Sequence, residues 1–103
     1  TMVARSRSAT GPFEVRERPL YLVVEANEQW NAPGHNSVIR DGAGTDWFFY
    51  HAVDRTQPRS RPTDDVNTRR VMLMDRLVWR DGWPEVAGKV PSSGLQPAPV
   101  VRR

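Results

Sequence analysis

Two aspartate–glycine pairs, Asp41-Gly42 and Asp81-Gly82, each stand between runs of β-branched and aromatic residues. This punctuation constrains the fold more than any other feature of the chain. An Asp-Gly step readily turns a strand back onto its neighbour, so each pair predicts a hairpin. Around the first, Asn36 to Arg40 and Thr45 to Val53 read as the two strands. Around the second, Thr68 to Trp79, with a bend near Asp75-Arg76, turns into Trp83 to Ala87. Met2 to Arg5, ahead of a Gly11-Pro12 turn, and Leu20 to Val24 are further strand candidates. Glu25 to Gly34 reads as a loop from its Asn, Pro and Gly content. Arg55 to Asn67 is polar and reads as an exposed connection, and the tail beyond Gly88 reads as loosely held loop. No segment shows helical or heptad periodicity. The expected class is all-β, and short strands with aromatic inner strands and Gly-containing turns are common to sandwiches and propeller blades.

At 103 residues the chain has room for one small domain. Its four tryptophans, with Phe48, Phe49 and Tyr50, supply enough large apolar bodies to fold the middle. The absence of cysteine removes disulfide scaffolds and thiolate zinc sites. No stretch approaches the roughly 20 apolar residues that span a bilayer, so no membrane partner is expected. A net charge of +3, with 14 of 15 basic residues arginine, would permit a nucleic-acid partner. The arginines are instead spread from Arg5 to Arg103 among 12 acidic residues, so no nucleic acid is expected either.

Few residues stand out for chemistry. His35 lies where a Pro33-Gly34 turn meets a strand, a place from which an imidazole can reach a metal or substrate, or satisfy a local hydrogen bond. His51 lies inside the apolar run Trp47 to Val53 and reads as a neutral core imidazole bonded to backbone. With two histidines, zinc ligation by histidine is not expected. The aspartates fall mostly at turns, where local hydrogen bonding explains them. Phosphate loops and nucleophile elbows are absent.

Several segments together resemble glycoside hydrolase family 43, the five-bladed β-propellers that act on arabinans and xylans. They are Val3 to Glu14 (VARSRSATGPFE), Pro33 to Val38 (PGHNSV), Asp46 to Ala52 (DWFFYHA), and Arg70 through Trp79 to Pro84. The resemblance implies about two C-terminal blades of a propeller catalytic domain over residues 1–90, followed by a loop-like tail over 91–103. It also implies an inverting glycosidase whose aspartate base, tuning aspartate and glutamate acid lie upstream of this chain, so that no catalytic residue is assigned here and the chain alone is inactive. The implied partners are a carbohydrate substrate and the N-terminal blades of the same enzyme, supplied as another chain or by swapping. His35 matches a family histidine that ligates a calcium or similar ion in the central channel, held mainly through water. Arg70 matches a family arginine that binds the sugar or steadies a carboxylate, with Arg69 its neighbour and competitor. The polysaccharide-related family implies an extracellular or periplasmic location, with the cytoplasm as the other option. The alternative reading is a small β carbohydrate-binding or interaction module without catalysis, one that uses its tryptophans as a flat sugar platform.

Overall fold

The computed structural model describes residues 1–102. The described residues contain no helix. They form β1 (Ala4–Arg5) and β2 (Glu14–Val15), a two-stranded ribbon, and then β3 (Trp30–Arg40), β4 (Asp46–Asp54), β5 (Arg70–Arg80) and β6 (Trp83–Val86). The last four make one antiparallel meander in the order β3-β4-β5-β6.

Both Asp-Gly pairs are hairpins, built differently. Arg80 pairs with Trp83, so Asp81-Gly82 is a two-residue turn with both residues at positive φ (51° and 74°), the combination that suits strand twist. The first hairpin is wider, since the last pair is Arg40 with Asp46. Here Asp41 Oδ1 accepts from the Ala43 and Thr45 N–H groups, and the positive φ falls on Gly44.

β4 is covered on both sides as its composition requires, with Trp47, Phe48, Tyr50, Ala52 and Val53 all buried. Its register separates two faces. Phe48 and Tyr50 join Val23, Val24, Leu77 and Val86 in the core. Trp47, Phe49, His51 and Val53 alternate onto the other face. β5 runs unbroken through Asp75 and changes partner just beyond it: it pairs with β4 up to Arg76 and with β6 from Leu77 onward. Asp75 itself is buried, accepting from the Tyr50 hydroxyl at 2.6 Å and from the Ser92 N–H at 3.3 Å.

Three expectations change. Leu20 to Val24 makes one isolated bridge, Leu22 with Met2, in place of a strand. Val23 still connects two elements, donating to the Thr1 carbonyl and accepting from the Val86 N–H, and its side chain lies in the core. Residues 30 to 34, read as loop, are the first half of β3. The tail beyond Gly88 is fastened at several places, the Ser92 bond to Asp75 among them. Pro91 is buried and accepts from Asn27, while Val100 accepts from the Gly42 N–H at 2.7 Å and donates to Asp41 Oδ2 at 3.0 Å.

The ribbon is tied to the meander by a buried ion pair. Arg16 Nη1 lies 3.1 Å from Glu85 Oε2, with side chains only 8% and 6% exposed. Glu85 is also reached by Arg80 and Lys89. Burial alone would raise its pKa, but the hydrogen bonds from Arg16 and Arg80 and the charges of Lys89 and Arg80 hold it below its usual 4.5. Arg5 closes the same corner, with its guanidinium over the Trp83 ring and Nη1 donating to the Asp81 carbonyl at 2.9 Å.

Breaking a buried ion pair leaves the surviving charge stranded, which typically costs about 3–5 kcal/mol. Because Glu85 keeps two other cations, Arg16→Ala should destabilise the chain by about 3 kcal/mol, the low end of that range, in urea titration. The Glu85 contribution should be full above about pH 4.5 and decline as pH falls through the lower folded value, and Glu85→Gln should remove that slope. A second expectation concerns the tail. A Cβ on Gly42 would come within 2.6 Å of Arg102 Cγ and 2.9 Å of the Val100 carbonyl oxygen, so Gly42→Ala should release the C-terminus. Carboxypeptidase should then trim residues beyond Ser92 faster than in the wild type.

Candidate functional site

β3 is not a regular strand. Between Asn31 and Gly34 it advances three residues while β4 advances two, from Val53 to His51; between Gly34 and Ser37 it does so again, from His51 to Phe49. Each interval therefore holds one extra residue, a β-bulge. Each also contains a non-glycine residue in left-handed backbone, Ala32 at φ 50° and His35 at φ 53°. Such backbone is uncommon for side-chain-bearing residues and concentrates at sites where a group must be aimed. Pro33, which cannot donate to a ladder, is accommodated because β3 is the edge strand and the residue lies in a bulge.

The bulges bring His35, His51 and Arg70 together. The rings of His35 and His51 lie 5.4 Å apart, tilted by 32°. Arg70 opposes Val53 and His51 opposes Met72, which places Arg70 and His51 on one face as diagonal neighbours. Arg70 Nε donates to His51 Nδ1 at 2.6 Å, and Nη2 donates to the Ala32 carbonyl. Burial, then the charges of Arg70 and His35, hold His51 below its ordinary 6.5.

This corrects the reading of His51 as a core imidazole bonded to backbone. Alternation turns it away from Phe48 and Tyr50, and its ring bonds to a guanidinium. Period-two counting along β4 was the signal that could have placed it, but apolar residues on both faces masked the alternation. The choice between neighbouring arginines resolves on register: Arg69 bonds the Gln57 carbonyl and lies 4.0 Å from Asp54, and Arg70 alone meets the histidines.

The chemistry of this cluster is that of a donor array. Among the described residues, no group of three or more His, Asp or Glu could hold a metal ion. The nearest charge is the Arg70 guanidinium, which repels a cation. His35 has beside it the ring of His51, which is itself bonded to Arg70. A tryptophan platform is not formed either: Trp30, Trp47 and Trp83 are buried and Trp79 is 57% exposed. Trp79 and Arg40 both donate to Asp46, the Arg40 bond first in strength, and bring that carboxyl down to about 2.

An antiparallel sheet of four strands, as β3-β4-β5-β6 forms here, is the blade unit of a β-propeller. The sequence profile of the glycosyl hydrolases family 43 matches residues 1–84, and the chain belongs to that family of glycosidases. Its all-β fold is thus part of a propeller from that family's catalytic domain. No curated protein matches the sequence significantly.

The coupling of His51 to Arg70 is open to measurement. In a histidine-resolved NMR titration, the His51 midpoint should fall below 6.5, and Arg70→Leu should move it upward by removing a neighbouring positive charge. Since the folded value is depressed, stability from neutral His51 should be full above about pH 6.5 and decline as pH falls below it.

Proposed function

We propose that the chain contributes part of the sugar-binding wall of an inverting glycosidase acting on arabinose- or xylose-containing plant polysaccharides or oligosaccharides. The observation that carries this reading is the convergence of Arg70, His51 and His35 beside the bulged edge strand of a glycosidase-family blade. Sugars are recognised through hydroxyl groups, and an arginine with free N–H groups is a donor to adjacent hydroxyls or to a carboxylate. In inversion one carboxylic acid protonates the leaving oxygen, while a carboxylate on the opposite face activates water, the two about 6.5–9.5 Å apart. The resemblance of residues 3–84 to family segments implies that both groups lie upstream, and on that ground we assign them to blades outside this chain. His35 supplies a polar contact beside them, to an ion-bound water or to the sugar.

The partners follow from the same reading: a carbohydrate, and the remaining blades. A groove of about 390 Å³ lined by Met2, Val3, Val38, Phe48, Leu77 and Trp79 supports it. Met2, Val38 and Trp79 are about half exposed there or more, as expected where a further blade packs. We place the enzyme outside the cytoplasm, where polysaccharide substrates are met.

The test is an activity assay in two parts. The purified chain should leave aryl arabinofuranosides, aryl xylosides and linear arabinan intact, and turnover above a buffer blank would refute the placement of the carboxylates. Combined with the blades that carry them, it should release sugar with inverted anomeric configuration by proton NMR. In that assembly His35→Ala should lower turnover by about 10-fold or more, the scale of losses at residues that orient a site's primary groups.

A further inference from the structure

Arg70 commits one edge of its guanidinium to the protein. Nε and Nη2 form the side edge of the planar group, and both are engaged, by His51 Nδ1 and the Ala32 carbonyl. The end edge, Nη1 with the remaining N–H of Nη2, has no partner among the described residues. An arginine side chain has many rotamers, and two bonds along one edge select a single direction for the other. The acceptors come from different strands. Ala32 lies in the first bulge of β3, where left-handed backbone turns its carbonyl toward β5. His51 comes from β4 and is backed by the ring of His35, which the second bulge brings to it.

For Nδ1 to accept, the imidazole must be neutral with its proton on Nε2. An alkyl side chain of equal size would fill the space and leave the Arg70 Nε–H without its acceptor.

We infer that His51 is a positioning residue: through Nδ1 it fixes the Arg70 guanidinium so that the end edge is presented to adjacent hydroxyls of a sugar ring. This rests on the reading of Arg70 as sugar-facing, and goes beyond it by assigning the orienting role to His51. Asparagine at position 51 places a carbonyl oxygen close to where Nδ1 stands, whereas glutamine places its polar atoms near the position of Nε2. The pair separates hydrogen bonding from space filling.

The experiment is NMR on the whole chain with nitrogen-15 label, comparing wild type with His51→Asn, His51→Gln and His51→Leu. Wild type should show a through-hydrogen-bond coupling between Arg70 Nε and His51 Nδ1. The Arg70 Nε–H should stay slow to exchange in His51→Asn and become fast in His51→Gln and His51→Leu. Titration of the assembly restored by the remaining blades with arabinotriose and xylotriose should then show affinity about 10-fold weaker for the Gln and Leu variants than for wild type, with Asn restoring most of it. Absence of the coupling in wild type, or equal Arg70 exchange in all three variants, would overturn the inference. If the coupling is present but neither sugar perturbs Arg70 in the wild type, the sugar-facing reading fails and the orienting bond stands. Should His51→Leu not fold, the Asn and Gln variants decide the matter between them.

Discussion

A ribbon of two residues per strand cannot hold itself in water, so the N-terminal part of this chain depends on what it grips. Its grip is the Glu85 carboxylate, sunk beneath Arg16, Arg80 and Lys89. A buried charge of this kind contributes less net stability than its short contacts suggest, because desolvation offsets much of the attraction. What it supplies is position. Arg16 follows directly on β2 and Glu85 lies in β6, so the pair sets where the ribbon meets the meander, with Arg5 over Trp83 completing the corner. Val23 and Val24 are then carried onto the core face of β4 and β5, where apolar burial does the stabilising.

That same face arrangement decides what the other face can do. With Phe48 and Tyr50 committed to the core, strict alternation obliges His51 to point the other way, and the β4–β5 register brings Arg70 to it. The site is thus a by-product of packing until β3 is considered. Two extra residues in β3, each interval with a left-handed backbone, deliver the Ala32 carbonyl and the His35 ring to the same place. The ordinary strand geometry supplies Arg70 and His51, and the irregular strand supplies their partners.

The parts of this arrangement legible in the sequence are those with local causes. Asp41-Gly42 and Asp81-Gly82 announce hairpins because turn chemistry is written in adjacent residues, and the apolar run of β4 announces a doubly covered strand. Residues 30 to 34 were illegible as strand because bulges recruit the same Pro, Gly and Asn that loops do. The tail was illegible because its anchor is non-local: Asp41, explained fully by its own turn, has a second oxygen that takes the Val100 N–H and the Trp47 indole. Those bonds, the Val100 one first, hold the carboxyl well below the usual carboxylate range. His35 and Arg70 were singled out by resemblance to family segments, and the structure brings them within one cluster. His51 required the register, which two apolar faces conceal.

The irregularity of β3 also bears on how the sheet meets other chains. β3 is an edge, and an edge of eleven residues would ordinarily offer a long row of unpaired amides and carbonyls to any passing extended segment. Its two bulges interrupt that row, Pro33 removes a donor from the middle of it, and the Ala32 carbonyl is already taken by Arg70. No foreign strand could stay in step along it past the first bulge. The distortion that aims the imidazole therefore doubles as a guard against edge-to-edge aggregation.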